Sequence, residues 1–346
     1  MTHSIPVPDE DAAQRARARQ AQLTKPPGAL GELETLAVRL AGLQGAERPQ
    51  VDPVHIAVFA ADHGVTAQGV SAFPPAVTVQ MVANFAAGGA AINVQAHHLG
   101  ARLQVVDVGT ATDYEVPDGV RLARAGRGTA DFTHEPAMSA EGFARADATG
   151  REIAQAAADE GMGLFIGGEM GIGNTTAASA VACALLDADP ETLVGPGTGL
   201  DTEGVARKMA AVRAGLDRHT AAIDGPDEAL RRLGGFELVA LAAAMEAAAA
   251  RRVPVLVDGF IVSVAALAAV RRRPALAQWL IFAHTSAEPG HGQVLAALHA
   301  RPLISLGLRL GEGSGAATAV PLLRLACALH NDMATFEEAA VANRGG

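Results

Sequence analysis

The segment Gly168-Glu169-Met170-Gly171-Ile172-Gly173-Asn174-Thr175-Thr176 carries the strongest chemical signal in the chain. It follows an apolar run at 162–166 that reads as a short buried strand, and it precedes an alanine-rich stretch at 177–186 that reads as a helix. A strand, a glycine-rich loop and a helix opened by two threonines form an anion-binding arrangement. Glycine lets the backbone approach a ligand, and the free N–H groups of the first helical turn face its negative charge. The spacing comes close to the phosphate loop of NTPases, but Asn174 stands where that loop has lysine. Without that cation a triphosphate is disfavoured, while a monophosphate remains suitable. The competing reading is a tight strand-to-helix turn that binds nothing. Glu169 argues against it, because a carboxylate in such a loop has no simple packing reason to be there.

Glu312 lies in Leu310-Gly311-Glu312-Gly313-Ser314-Gly315. The flanking glycines clear space around its carboxylate, and a helix N-terminus nearby favours the ionised form. A general base and a helix N-terminal acid are equal readings from spacing alone. Asp258, in Asp258-Gly259-Phe260, is placed to bind a ribose hydroxyl. Asp62 and Asp107 read equally well as turn caps. Asp62, Asp107, Glu169, Asp258, Ser286 and Glu312 all follow predicted strands, so they are expected on one rim, where open α/β sheets bind ligands. Gly195-Pro196-Gly197-Thr198-Gly199 is a second, weaker anion-competent loop. Lys208, one of two lysines, reads as a solvated helix residue or as a point cation. The 11 histidines show no metal-ligand spacing, and loop-shaping or surface roles are expected for His284 and His291. No G-x-S-x-G elbow supports a hydrolase triad.

These residues must be positioned by the elements around them. Helices are expected over 9–43, interrupted at Lys25-Pro26-Pro27-Gly28, and over 76–99, 139–159, 202–219, 236–251 and 261–270, with a last long helix from 316. Strands are expected at 54–61, 102–108, 162–166, 253–257, 280–283 and 303–310. The alternation predicts an α/β fold, a mainly parallel sheet covered by helices on both faces. The chain is 49% hydrophobic but only 3% aromatic, so Ala, Val and Leu must fill the core. A net charge of −10, with no long basic run, gives no support for nucleic-acid binding. Arg271-Arg272-Arg273 reads as a solvated turn. Cys183 and Cys327, each inside an apolar helical run, read as buried thiols of a reducing compartment. No signal peptide and no membrane span is expected, which points to the cytoplasm.

Several segments together resemble one family, the nicotinate-nucleotide:dimethylbenzimidazole phosphoribosyltransferases. They are Lys25 to Gly31, Ala61-Asp62-His63-Gly64-Val65, Gly88 to Val94, Gly168 to Thr176, Gly234-Gly235-Phe236-Glu237, Asp258-Gly259-Phe260, Ser286 to His291, and Arg309 to Gly315. They occur in family order from about residue 25 to about 336. The resemblance implies a parallel, Rossmann-like α/β domain at 49–315 and a small helical domain built from both chain ends, 1–48 plus 316–346. It implies a homodimer with the site at the strand C-terminal edge. It implies transfer of phosphoribose from nicotinate mononucleotide to dimethylbenzimidazole, with inversion at the anomeric carbon, Glu312 as the base, and no metal or other cofactor. The phosphoribosyl side would hold Glu169, Gly171, Gly173, Thr175, Thr176, Lys208, Asp258 and Ser286. The acceptor pocket would hold Phe73, Met81 and Leu310. Three positions depart from the family pattern: Pro196 often gives way to arginine, Thr285 to arginine or phenylalanine, and Phe73 varies. A different acceptor base, or a catalytically silent paralogue, are the alternatives.

Overall fold

The computed structural model describes residues 4–197 and 199–342. Thr198 and the outermost ends of the expected small domain, 1–3 and 343–346, lie outside the described residues. Six parallel strands form one sheet: β1 (Val54–Ala61), β2 (Arg102–Gly109), β3 (Val120–Leu122), β4 (Leu164–Met170), β5 (Val255–Val257) and β6 (Leu280–Phe282). Their spatial order is β3-β2-β1-β4-β5-β6. The winding reverses between β1 and β4, so loops from the two halves of the chain part there and leave a crevice at the strand C-termini. Every residue of β1 is buried, as a central strand covered on both faces must be.

The helices are α1 (Glu10–Gln22), α2 (Glu32–Gln44), α3 (Ala76–Ala86), α4 (Ala91–Leu99), α5 (Ala140–Asp159), α6 (Asn174–Leu186), α7 (Pro190–Leu193), α8 (Thr202–His219), α9 (Pro226–Leu233), α10 (Phe236–Ala250), α11 (Phe260–Arg272), α12 (His291–Ala297) and α13 (Ser314–Asp332). Side-chain caps start several of them: Asp9, Ser139 and Asp201 accept from the N–H groups of Ala12, Gly142 and Gly204. Helix α10, almost wholly Ala, Leu and Val around its circumference, is buried on all sides. Small residues let α5 press against it: a Cβ on Gly150 would lie 2.8 Å from Ala240 Cα. Each fully buried Val or Leu of this core contributes about 1.5–3 kcal/mol over its exposed state.

The chain ends meet. Helices α1 and α13 both pack on α2, Leu23 bridges Thr335, and Arg19 donates to the His330 and Asn331 carbonyls. His330 is fully buried between Gln20 Nε2 (2.9 Å from its Nδ1) and the Glu47 carbonyl (2.8 Å from its Nε2).

Four expectations need correction. The helix expected over 76–99 is two helices, because the chain turns at Gly88-Gly89 with Gly88 at φ 80°. By length and composition Ala76–Leu99 could cross a membrane. The break leaves pieces of 11 and 9 residues, each shorter than the roughly 20 a span needs. The strand expected over 303–310 is an extended run that forms one isolated bridge, His284 to Ile304, with Leu303 and Ile304 donating to the Phe282 and Ala283 carbonyls, and the turn at Gly307 interrupts further pairing. Strand β4 continues to Met170, so Glu169 is a strand residue and not a loop residue. The Arg271-Arg272-Arg273 cluster is no solvated turn: Arg272 and Arg273 pair with buried Glu246 of α10, at 2.6 and 3.2 Å.

Candidate active site

A cavity of about 460 Å³ opens at the C-terminal ends of β4, β5 and β6. One side of it is the start of α6. Gly173, at φ 97°, caps that helix in a conformation open to glycine and strained for other residues. The turn lies on His63, which is buried and paired with buried Glu237 of α10 (Nε2 to Oε1, 2.9 Å). A Cβ on Gly171 or Gly173 would come within 3.4 or 3.1 Å of the His63 side chain. The pair is a floor under the loop, fixing where the first-turn N–H groups of α6 face.

Three carboxylates line the cavity without a lysine or arginine partner among the described residues: Glu169, Asp258 and Glu312. Glu169 accepts from Asn174 Nδ2. Burial first, then the negative charges of Asp258, Glu237 and Glu312, push its pKa well above the usual carboxylate range. Asp258 follows β5. Its Oδ1 accepts the Ala316 N–H at 2.7 Å in the first turn of α13, and His284 Nε2 lies 3.5 Å away. Glu312 sits between Gly311 (φ 90°) and Gly313 (φ 84°) and itself has φ 64°. A run of three left-handed residues turns the chain sharply, so that the Glu312 carbonyl abuts Gly168 and its side chain enters the cavity. Oε2 accepts the Ile92 N–H at 3.1 Å, which holds the carboxylate in one orientation, while Oε1 has no hydrogen bond among the described residues. Burial, reinforced by Asp258 and opposed by the Ile92 bond, raises its pKa. A carboxylate so fixed and shifted toward neutrality is suited to take a proton.

The other wall is apolar: Phe73, Val77, Met81, Leu308 and Leu310. Phe73 and Leu310 are 51% and 62% exposed, so this side is open to solvent. A flat aromatic ring fits such a wall.

Of the residues expected at the site, Glu312, Glu169, Gly171, Thr175, Asp258, Ser286, Phe73, Met81 and Leu310 line one cavity. Gly173 and Thr176 do not: the first shapes the α6 turn, and the second is fully buried behind it. Lys208 is neither a solvated residue nor a cavity-lining one. It is fully buried, donating to Thr175 Oγ1 (2.8 Å) and the Gly195 carbonyl (3.1 Å). Burial lowers its pKa to about 8, with Glu288 acting in the opposite sense. Asp62 and Asp107, expected on the same rim, fasten loops instead. Asp62 accepts the Ala111 N–H, and Asp107 accepts from Thr110, Tyr114 and Arg124. His284 and His291 are buried, not surface, residues. His291 shapes the loop, with Nδ1 accepting the Ser286 N–H (2.8 Å) and Nε2 lying 3.0 Å from Ser263 Oγ.

Sequence reasoning missed Asn174, His284, Glu288 and Arg309 as cavity residues. Asn174 registers in the sequence only as an absent lysine. The others lie inside motifs whose central residues drew attention. Among the described residues, no group of three His, Cys, Asp or Glu side chains is disposed to hold a metal ion.

Comparison with known proteins places this geometry. A phosphoribosyltransferase family model, DBI_PRT, matches residues 5–341. A nicotinate-nucleotide–dimethylbenzimidazole phosphoribosyltransferase of Pseudomonas aeruginosa is 59% identical over 336 residues, 97% of this chain and 96% of that protein. Its counterpart in Pseudomonas syringae pv. syringae is 58% identical over 341 residues, 99% and 96% of the two chains. The crystal structure of the enzyme of that name from Thermus thermophilus superposes with a TM-score of 0.91 at 45% identity, covering 97% of this chain and 99% of its own. A second structure from that organism, named CobT, gives 0.92 at 46%, covering 97% and 100%. With the sheet order, the cavity at the strand C-terminal edge and matches spanning nearly the whole length, the chain belongs to the nicotinate-nucleotide–dimethylbenzimidazole phosphoribosyltransferase family.

Proposed function

We propose that this chain transfers phosphoribose from nicotinate mononucleotide to dimethylbenzimidazole, giving nicotinate and α-ribazole phosphate with inversion at the anomeric carbon. The carrying observation is Glu312: a carboxylate held by the Ile92 N–H, with one oxygen free, between the α6 N-terminus and an apolar wall. The nucleotide's phosphate lies against the α6 first turn, with Gly171, Gly173, Thr175 and Thr176 shaping that turn and Lys208 supplying charge from behind Thr175. Glu169, Asp258 and Ser286 flank the ribose. The acceptor base lies on Phe73, Met81 and Leu310.

Nicotinate is a pyridinium in the substrate and departs as a neutral pyridine ring, so its departure calls for neither an acid nor a metal. The attacking benzimidazole nitrogen becomes bonded to the anomeric carbon from the opposite face. The N–H on its other nitrogen turns acidic as positive charge develops, and Glu312 accepts that proton. Negative charge on Asp258, and on Glu312 before it takes the proton, stabilises the cationic anomeric centre between the two bases.

The acceptor wall carries no polar side chain, so it selects for a flat apolar ring more than for one particular base. We further propose a homodimer whose second subunit covers the open side, since exposed Phe73, Val94 and Leu310 form apolar surface along α3, α4 and the cavity mouth. The chain ends with α1 and α2 form the small domain, 1–48 plus 316–346, with α13 shared because its first turn belongs to the cavity of the 49–315 part. Two free, buried cysteines suit the cytoplasm. The test is direct: purified protein, nicotinate mononucleotide and dimethylbenzimidazole in excess chelator, with α-ribazole phosphate and nicotinate quantified. Equimolar products support the reading. No product, or product only when a divalent cation is restored, overturns the reaction or its metal-free form respectively.

A further inference from the structure

The phosphate of the proposed substrate enters a cavity whose acidic lining opposes it: Asp258, Glu288 and Glu312, with buried Glu169 pushed toward its neutral form. The α6 N-terminus offers about half a positive charge against it. The expected cation, Lys208, does not line this space. Gly197 stands between: a Cβ there would lie 2.7 Å from Thr175 Oγ1 and 3.0 Å from the Lys208 ammonium. At the same glycine lies Arg309. Its guanidinium donates to the Gly197 carbonyl at 3.2 Å, and its side chain lines the cavity. Among the described residues Arg309 makes no ion pair, and it is the one lysine or arginine on the cavity wall.

An arginine left unpaired beside four carboxylate-bearing wall residues has donors to spare for an incoming anion, and its planar fork matches two phosphate oxygens. The substrate has two anionic groups, the phosphate and the nicotinate carboxylate. Position favours the phosphate, because the glycine that Arg309 holds packs against Thr175, in the first turn of α6. We infer that Arg309 is a direct ligand of the nucleotide phosphate, gripping it from the cavity side while Lys208 acts through Thr175 and the Gly195 carbonyl. The inference rests on the substrate reading above.

The experiment compares wild type, Arg309→Ala and Arg309→Lys for binding of nicotinate mononucleotide and of its dephosphorylated riboside, measured as competitors. Loss of a charge-assisted contact should weaken the nucleotide about 10- to 100-fold. The riboside should be unchanged within about twofold, and lysine should restore part of the loss, since it keeps charge without the fork. Equal weakening of nucleotide and riboside would overturn the assignment, placing Arg309 on the nicotinate carboxylate or in loop support alone. So would nucleotide binding that does not change. Wild-type turnover with dimethylbenzimidazole, run in parallel, separates the two levels: wild type that binds the nucleotide but forms no α-ribazole phosphate defeats the reaction reading and leaves the Arg309 comparison intact.

Discussion

Buried glutamates occur in two settings here. Glu246, in the middle of α10, is almost wholly inaccessible and is met by Arg151 (2.9 Å), Arg272 (2.6 Å) and Arg273 (3.2 Å). The same arginines reach on to Asp147 and Asp227, so the network ties α5, α9 and α11 to α10. Glu169 and Glu312 are similarly buried and have no basic partner among the described residues. A fold that meant only to hold together would not leave a carboxylate out of water and unpaired, because desolvation opposes it. The difference between the two settings separates a carboxylate that fastens helices from one kept available for chemistry.

The comparison breaks first at Glu312. Glu312→Gln keeps shape and removes the base, so turnover should fall about 100- to 10,000-fold while the affinity for nicotinate mononucleotide changes little. Single-turnover kinetics beside equilibrium binding measures both, and near-normal turnover would end the assignment. Acid should reach the site from another side. Burial, then His284, lowers the His291 pKa to about 4, so the neutral ring holds the Ser286 N–H. Because the folded-state value lies below the unfolded value, this stabilisation is complete above about pH 6.5 and is lost as pH falls through 4, on the order of 3 kcal/mol. Thermal unfolding and activity followed together between pH 7 and 4 should decline in step, and stability that does not change over that window would count against a neutral His291.

The opposite arm is Glu246→Ala. Removing the shared anion leaves three clustered arginines, and the cost should be about 2–3 kcal/mol, below the usual figure for a buried pair because these arginines keep some access to water. Denaturant unfolding gives the loss, and kcat at low temperature should remain near wild type. A large kcat defect in a folded variant would erase the distinction between the two settings. The smallest effect concerns Lys208. In the nucleotide-free protein its ammonium is charged below about pH 8, so nucleotide affinity should weaken severalfold as pH rises from 7 to 9. Lys208→Ala should lose that pH dependence while affinity for dimethylbenzimidazole is unaffected. A slope that persists in the variant would assign it elsewhere.

The parallel sheet was legible because its strands are short apolar runs with turn residues after them, and the cavity carboxylates because glycine surrounds them. What escaped is what single-chain periodicity does not encode. Nothing in Arg272 or Arg273 announces that Glu246, more than twenty residues earlier, is their partner; only the packing of α11 on α10 brings them together. Lys208 reads as a helix cation, and its burial is visible only once Gly195 and Gly197 are seen to lie against its ammonium. Asp62 and Glu169 look alike in sequence, each an acid ending a strand. The neighbouring loop at Ala111 uses the first, and an open crevice receives the second.

With Glu312 as the proposed base, its left-handed backbone sets catalysis and folding as competing demands on one position. Glycine adopts that conformation freely, whereas any L side chain there is strained by about 1–2 kcal/mol. Glycine at 312 would therefore relieve the turn while removing the proposed base. A copy released from the proposed chemistry would gain stability by exchanging this glutamate for glycine. Selection for thermal endurance alone would drift toward a sturdier and silent protein.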